Sequence, residues 1–283
     1  MKRLLLLGLG IVLIACCSML LWYRYKWKTV WEETAYRVPY SVALHDDDTL
    51  RVLMIGDSWA EMHHGGGCDT MLATMLCQQL DIPVKVLSQG RGGALSRQVY
   101  NLMFKASSFG DSIYCMENML KQGADYCVVI AGINDAAANF GPAFYVRHYN
   151  LVLRTLFAWH MRPVVIEIPD VDIYDVYSRK DRKNLLLDCL RAWMTGAEPY
   201  DVRVYREALR ERSLQMKDSI VYVACDQWNK AGFRDSRGMY LTDKVHLNHR
   251  GYQQLDSCIA VFIARDYLLK TNSLEQPVSR QPE

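Results

Sequence analysis

Three polar residues in separate parts of the chain have the side-chain types that nucleophilic catalysis requires. Ser58 follows an apolar run that ends in Gly56-Asp57, and His246 lies three residues after Asp243 near the end of the chain. A serine hydroxyl is a weak nucleophile until a base removes its proton, and a carboxylate can hold an imidazole in the tautomer that acts as this base. These residues could carry out acyl transfer if the fold brings them together.

Acyl transfer also needs hydrogen-bond donors for the oxyanion of a tetrahedral intermediate. The sequence offers backbone N–H groups in a glycine-rich turn at Gly92-Gly93, and a side-chain amide at Asn134 in the run Ala-Gly-Ile-Asn-Asp. Each motif is weak alone, because an Asp-x-x-His spacing arises by chance and Gly-x-Asn-Asp is common in turns. Whether these motifs form one active site therefore depends on the strands and helices that position them.

Short apolar runs alternate with helical stretches along the chain. The predicted strands are residues 52–55, 84–87, 126–130, 164–168 and 220–224. The predicted helices are residues 69–80, 112–121, 144–160, 206–215 and 251–269. This alternation is typical of a parallel sheet covered on both faces, so we expect an α/β protein with a three-layer α/β/α sandwich and five parallel strands. Ligands bind such sheets beyond the carboxyl ends of the strands, which is where the motifs lie.

In this order, the motifs resemble the four sequence blocks of the SGNH (GDSL-like) hydrolases. The matching blocks are Gly56-Asp57-Ser58, Gly93, Gly132-Ile133-Asn134-Asp135 and Asp243-Lys244-Val245-His246. The resemblance covers about residues 51–269. It implies a flavodoxin-like sandwich that hydrolyses or transfers acyl esters with no metal and no other cofactor.

The resemblance also implies a role for each matching residue. Ser58 would be the nucleophile, and His246 would act first as base and then as acid. Asp243 would orient His246. The oxyanion hole would consist of the backbone N–H groups of Ser58 and Gly93 together with the side chain of Asn134. Asp57 and Asp135 are expected to be structural hydrogen-bonding groups at the strand ends.

The sequence departs from the family pattern in two blocks. Ser88 stands where family members usually carry Asn, and the added Gly92 is an alternative to Gly93 as the backbone donor. Trp59 replaces the usual Leu and would place an aromatic ring beside the nucleophile. We therefore expect Trp59, His63 and Arg91 to be substrate-contacting residues.

Two other interpretations of the glycine-containing segments are weaker. Gly90-Arg91-Gly92 begins a dinucleotide-binding pattern, but Leu95 stands where the third glycine would be. The run His-His-Gly-Gly-Gly-Cys-Asp at residues 63–69 could hold a metal. No second cluster with ligand spacing supports that site, so we expect a mobile loop lining the cleft. His249 is expected to be a solvated residue at a helix start.

The connection from residue 170 to residue 219 is long for this architecture. Its aromatic residues are Tyr174, Tyr177, Trp193, Tyr200 and Tyr205. They could be the core-facing side chains of two helices that pack on the sheet. Alternatively, they could form a cap whose rings stack on sugars.

The N-terminal 28 residues differ from the rest of the chain. An apolar run from Leu4 to about Tyr23 lies between basic residues and has the length of a membrane-spanning helix. Uncleaved anchoring is the favoured interpretation, with a cleaved signal peptide as the rival. A lipobox-like sequence ending at Cys16 leaves a lipoprotein open. We expect an anchor or signal at 1–28, a linker at 29–49, the catalytic domain at 50–270 and a flexible tail at 271–283.

Composition narrows the classes of partner. The 283 residues carry a net charge of +2, with basic residues scattered among acidic ones, so we expect no nucleic acid partner. The expected function is a serine esterase of the bacterial cell envelope, anchored at its N-terminus with the catalytic domain exported. Its substrate would be a small-molecule or glycan ester, with acetyl favoured as the acyl group. O-acyl transfer to a glycan and a non-catalytic glycan-binding module are the alternatives.

Overall fold

The structure is a computed structural model that describes residues 2–32, 34–105, 115–171, 173, 182–195, 198–224 and 237–275. The chain divides into two compact units, Met1–Val38 and Pro39–Glu283. The first unit contains helix α1, Lys2–Glu32. Its segment Leu6–Tyr25 is 20 residues long, solvent-exposed and apolar enough to cross a membrane. A membrane anchor and a signal sequence both fit this description.

The second unit is built on a five-stranded sheet in which every strand pair is parallel. The strands are β1 Leu50–Gly56, β2 Val84–Gly90, β3 Tyr126–Ile130, β4 Arg162–Ile166 and β5 Val221–Val223. Their spatial order is β2-β1-β3-β4-β5. Three strands are almost wholly buried because both faces of the sheet are covered, as the continuous apolar runs predict.

Helices cover both faces of the sheet. They are α2 Ser58–Gly65, α3 Cys68–Leu80, α4 Ser96–Leu102, α5 Glu117–Leu120, α6 Ile133–Ala137, α7 Pro142–Ala158, α8 Arg182–Thr195, α9 Val202–Leu214 and α10 His249–Glu275, with a 3₁₀ turn at Arg237–Met239. Helices α3 and α10 pack together against the edge strands on one face, and α4, α7 and α9 pack on the other. The predicted three-layer sandwich is confirmed.

The register of the sheet brings three strand ends to one edge. Gly56 at the end of β1 is paired with Gly90 of β2 and Ile130 of β3. A Cβ atom at Gly56 would lie 2.1 Å from the Ile130 carbonyl oxygen, so no larger residue fits there. The residues that follow each of these strands therefore emerge side by side.

Several boundaries differ from the sequence prediction. The sequence predicts a loop at residues 63–69, but residues 63–65 belong to helix α2 and residues 68 and 69 to helix α3. Residues 39–49 of the predicted linker belong to the second unit, where the Trp159 indole N–H donates to the Tyr40 carbonyl at 2.6 Å. Residues 112–114 of one predicted helix, and residues 276–283 of the predicted tail, lie outside the described residues. Helix α10 continues to Glu275, past the predicted start of the tail.

Candidate active site

Ser58 is the first residue of α2 and follows directly from β1. Asp57 is the N-cap of this helix, and its side chain accepts a hydrogen bond from the Trp59 backbone N–H at 3.1 Å. An aspartate side chain at this position satisfies a backbone donor that the first helical turn would otherwise leave unpaired. The cap fixes where the helix begins and therefore where the half-buried Ser58 hydroxyl lies.

A tight turn before α10 holds the second part of the site. Asp243 Oδ1 accepts the backbone N–H groups of Val245 at 3.0 Å and of His246 at 2.9 Å. Lys244, inside this turn, has a left-handed φ of 62°. Backbone of this kind is uncommon for a residue with a side chain and persists where surrounding bonds enforce it. The three-residue spacing thus folds the carboxylate back onto its own histidine.

The two parts meet through His246. Its Nε2 lies 2.9 Å from Ser58 Oγ, and its Nδ1 lies 2.7 Å from Asp243 Oδ2. The side chains of His246 and Asp243 are 31% and 43% exposed, so solvent and small molecules reach them. Burial opposes ionisation of Asp243, but hydrogen bonds from the backbone and side chain of His246 outweigh it and lower the pKa of the carboxyl. An ionised Asp243 favours a proton on Nδ1 and leaves Nε2 to accept from Ser58.

The glycine-rich turn after β2 lies at the same edge. The Arg91 N–H donates to the Gly56 carbonyl at 3.2 Å, and the Ala94 N–H donates to the Arg91 carbonyl at 3.1 Å. Gly93 is exposed and has a φ of +71°, which glycine adopts without strain. Asn134 Nδ2 donates to the Ala94 carbonyl at 3.1 Å. Asn134 and Gly93 therefore belong to one connected structure, and their donation to a substrate oxygen stays a prediction.

Two buried carboxyl groups lie beneath this edge. Burial raises the pKa of Asp57 to about 7, against the hydrogen bond from Trp59. Asn134 Nδ2 also approaches Asp57 Oδ2 at 3.3 Å. Burial raises the pKa of Asp135 to about 7, although the backbone N–H and hydroxyl of Ser96 both donate to it. Both groups hold backbone and side-chain donors in place, as the sequence predicts.

Comparison with known proteins decides the family. The family model described as GDSL-like Lipase/Acylhydrolase matches residues 54–254, from β1 into α10. The chain belongs to the GDSL-like lipase/acylhydrolase family. Members of this family are ester hydrolases. No curated protein sequence matches the chain.

Solved structures show the same fold as this GDSL-like hydrolase. The lipase/acylhydrolase from Enterococcus faecalis is 14% identical with a TM-score of 0.52, and the match covers 77% of this chain and 96% of that one. The acetylxylan esterase from Geobacillus stearothermophilus is 12% identical with a TM-score of 0.52, covering 76% and 94%. The expected SGNH sandwich is confirmed by both.

The predicted contact between Trp59 and substrate is wrong. Trp59 is 1% exposed, and its indole N–H donates to the Val245 carbonyl at 3.1 Å. Its own carbonyl accepts from the Tyr252 hydroxyl at 2.9 Å. Trp59 therefore connects helix α2, which carries Ser58, to the turn that carries His246.

The prediction for His63 is also wrong. This residue lies inside α2 with no exposed surface, not in a loop that lines the cleft. Its Nδ1 lies 3.0 Å from Asp69 Oδ1 and 2.9 Å from Ser88 Oγ, and its Nε2 lies 2.9 Å from Asp256 Oδ1. Sequence reasoning missed this network because Asp256 is 193 positions away.

The remaining candidates have mixed outcomes. Arg91 is exposed at the turn after β2, so its predicted contact with substrate stays a prediction. Tyr200 and Tyr205 are buried and belong to the core, whereas Trp193 is 72% exposed. Tyr174 and Tyr177 lie outside the described residues. Within the described part of the chain, no group of three or more His, Cys, Asp or Glu could hold a metal ion. His249 is exposed at the first position of α10.

Proposed function

We propose that this GDSL-like hydrolase is a serine esterase with Ser58 as nucleophile. The observation that carries the proposal is the continuous chain of contacts Ser58 Oγ–His246 Nε2 at 2.9 Å and His246 Nδ1–Asp243 Oδ2 at 2.7 Å. These are the distances that a nucleophile, a base and an orienting carboxylate need. They occur at a solvent-accessible edge, where an ester can approach.

In the first half-reaction, Ser58 Oγ attacks the ester carbonyl carbon while His246 Nε2 takes the hydroxyl proton. The carbonyl π bond opens, and the oxygen becomes an oxyanion that the N–H groups of Ser58 and Gly93 stabilise. The amide of Asn134 joins them when one of its N–H groups turns from Ala94 or Asp57 to the substrate oxygen. When the intermediate collapses, His246 donates its proton to the alcohol oxygen, which leaves. The acyl group is then bonded to Ser58.

In the second half-reaction, His246 Nε2 removes a proton from water as the water oxygen attacks the acyl carbon. A second tetrahedral intermediate forms and breaks its bond to Ser58 Oγ, which recovers the proton from His246. The products are a carboxylic acid and free enzyme. Asp243 stabilises the imidazolium in both halves and stays ionised, in keeping with its lowered pKa.

A short acyl group fits this site best. A small cavity lined by Asp57, Ile130 and Ile168 adjoins the strand end that carries Ser58, and its volume is about 10 Å³. That volume holds about one water molecule, so an acyl group that enters it can be little larger than a methyl group. We infer that the enzyme takes acetyl and closely related esters.

The alcohol part of the substrate is proposed to be a carbohydrate. Arg91 is exposed at the edge that carries Ser58, and an arginine side chain can donate hydrogen bonds to hydroxyl groups. The structurally similar Geobacillus protein is an acetylxylan esterase, which supports a sugar acetyl ester here. An exported domain held at the bacterial cell envelope by α1 would meet such glycans. Release from membranes by detergent but not by salt tests the anchor, and release by Cys16→Ser alone would favour a lipoprotein.

Hydrolysis kinetics on a chain-length series test the function. The full chain in detergent is assayed with 4-nitrophenyl acetate, butyrate and octanoate, and with acetylated xylo-oligosaccharides. We expect kcat/KM to fall by at least about tenfold from acetate to octanoate and Ser58→Ala to be inactive on every ester. A preference for octanoate contradicts the short acyl group, and activity in Ser58→Ala contradicts the nucleophile.

The fate of the acyl group separates hydrolysis from transfer. The assay is repeated with added oligosaccharide, and free acetate and acetylated oligosaccharide are both quantified. We expect acetate to remain the main product. Acetylated oligosaccharide as the main product would identify an O-acyltransferase, and sugar binding with no acyl-enzyme would identify a non-catalytic module.

A further inference from the structure

The oxyanion turn has a partner on the helix that carries the nucleophile. Glu61 Oε2 accepts the backbone N–H of Gly92 at 2.6 Å. Glu61 follows Ser58 by three positions in α2, so the two side chains lie on the same face of that helix. One helix thus presents both the nucleophile and the carboxylate that binds the turn.

The turn approaches this helix too closely for any side chain at Gly90. A Cβ atom there would lie 2.2 Å from the Asp57 carbonyl oxygen and 2.4 Å from the Glu61 backbone nitrogen. The end of β2 is therefore pressed against the first turn of α2. Beyond Gly90, the turn extends to exposed positions, where Glu61 contacts it through the Gly92 N–H.

The bond to Glu61 decides which amide of the turn faces a substrate. The sequence left Gly92 and Gly93 as alternative oxyanion donors. Because the Gly92 N–H donates to a carboxylate in a short, charge-assisted bond, it is not available to a substrate oxygen.

We propose that Glu61 is a positioning residue that fixes the Gly92-Gly93 turn and thereby presents the Gly93 N–H as the backbone donor of this loop. This proposal rests on the proposed function, because it assigns a role in stabilising the oxyanion. Glu61 contacts neither the substrate nor the reacting atoms. Its effect is expected in the transition state and not in ground-state binding.

Three substitutions of Glu61 separate the effect of its side-chain length from the effect of its charge. Glu61→Gln keeps the length and a carbonyl oxygen that can accept the Gly92 N–H. Glu61→Asp keeps the charge but is one methylene too short, and Glu61→Ala removes both. Loss of one oxyanion donor lowers rates by about 10²–10³, so misplacement of the donor is expected to lower kcat by about 10- to 100-fold.

The test measures kcat and KM on 4-nitrophenyl acetate for the three variants, wild type and Ser58→Ala. We expect Glu61→Asp and Glu61→Ala to lose about 10- to 100-fold in kcat with KM within about twofold. Glu61→Gln should retain kcat within about threefold. Equal losses in Glu61→Gln and Glu61→Asp, full activity in Glu61→Asp, or a loss confined to KM would overturn the proposal.

Hydrogen–deuterium exchange of the peptide that contains residues 88–95 gives a readout that needs no turnover. We expect faster exchange in Glu61→Asp and Glu61→Ala and wild-type exchange in Glu61→Gln, at unchanged melting temperature. Unchanged exchange in all three variants would overturn the proposal. If Ser58→Ala hydrolysed the ester at the wild-type rate, the proposed function would be refuted. The exchange measurement would still test the bond between Glu61 and Gly92, because it does not depend on turnover.

Discussion

Two histidines of this chain each lie between a serine hydroxyl and a carboxylate. His246 links Ser58 to Asp243 at the carboxyl edge of the sheet, where the imidazole is 31% exposed. Both parts of this group start from short local structures, a helix N-terminus and an Asp-x-x-His turn. We call Ser58, His246 and Asp243 the outer group. It contains one carboxylate, so one nitrogen of the imidazole is left to face the serine hydroxyl.

The inner group is centred on His63 and has no exposed imidazole surface. Ser88 and Asp69 both contact His63 Nδ1, at 2.9 and 3.0 Å, and Asp256 contacts Nε2 at 2.9 Å. The group joins α2, α3, β2 and α10. Burial alone lowers the pKa of His63, but the hydrogen bonds and charges of Asp256 and Asp69 outweigh it and raise this pKa to about 9. Asp69 has its own pKa lowered to about 2, mainly by hydrogen bonds from His63 and Ser88 that outweigh burial.

The difference shows that these residue types do not define a catalytic group by themselves. A base needs a nitrogen lone pair and access to a substrate. The raised pKa of His63 favours a proton on each of its nitrogens, and the ring has no exposed surface, so we expect this residue to stabilise the fold. His246 meets one carboxylate and one hydroxyl at the surface, so it can take up a proton. The following predictions exchange or remove members of the two groups.

The largest expected difference is between the two serines. Ser58→Ala and His246→Ala should each lower kcat by at least about 10⁴-fold, because each removes a group that the transition state requires. Ser88→Ala should keep kcat within about threefold and lose stability, since it unpairs buried partners. Steady-state kinetics and urea denaturation measure both effects. An inactive but stably folded Ser88→Ala would remove the distinction between the groups.

Asp243→Asn should impair activity less than His246→Ala does. The carboxylate selects the tautomer and stabilises the imidazolium, whereas the imidazole itself moves the proton. A loss of about 10²–10⁴ in kcat is expected; in subtilisin, loss of the Asp lowers kcat by less than loss of the Ser or His. Stability should change by less than about 1 kcal/mol, as for exposed pairs. An Asp243→Asn defect equal to that of His246→Ala would show that the histidine cannot act without the carboxylate.

An Asp-to-Asn substitution in the inner group should lower stability and leave activity almost unchanged. Asp256→Asn replaces the carboxylate that faces His63 in a fully buried pair. Burial raises the pKa of Asp256, and the hydrogen bond and charge of His63 oppose that rise and favour the ionised carboxylate. Removing one partner of such a pair destabilises proteins by about 3–5 kcal/mol, so we expect a loss of about 3 kcal/mol in the free energy of unfolding. The kcat of the folded fraction should stay within about threefold. Normal stability with lost activity would mean that the inner group takes part in the reaction.

The smallest expected effect is a dependence of stability on alkaline pH. The folded-state pKa of His63 is about 9, above its ordinary value of 6.5. Its contribution is therefore full below pH 6.5 and is lost as the pH rises through 9. Urea denaturation between pH 8 and 9 lies above most of the range around pH 7 in which Asp57 and Asp135 titrate. Wild type should lose stability across this interval, and Asp256→Asn should lose less. Equal slopes would show that His63 is not charged in the folded protein.

The sequence predicts the outer group better than the inner one for a physical reason. The pattern of hydrophobic residues along the chain reveals the alternating strands and helices, and the active-site motifs follow the strand ends. The carboxyl edge of a parallel sheet then brings Ser58 and Asn134 together without knowledge of side-chain packing. Asp243 and His246 are neighbours through their own turn. The five strands and the contacts among Ser58, Asp243 and His246 are thus accessible from sequence.

The inner group depends on packing between distant elements. Residues 63–67 are His-His-Gly-Gly-Gly, which is typical of a loop. Helix α2 nevertheless continues to Gly65, and its side chains Trp59 and His63 are buried. The partners of these two residues are the Val245 carbonyl and Asp256, 186 and 193 positions away. Tertiary contacts at that distance override local propensity, and no pattern within the segment reveals them.

Labelling by a fluorophosphonate tests the central claim most directly, because the probe forms a stable bond to an activated serine. The full chain, Ser58→Ala, His246→Ala and Ser88→Ala are treated in detergent, and the modified peptide is mapped by mass spectrometry. We expect one adduct on Ser58 in wild type and in Ser88→Ala, none in Ser58→Ala and strongly slowed labelling in His246→Ala. An adduct on Ser88 or on any other serine in place of Ser58, or equal labelling rates with and without His246, would contradict the account.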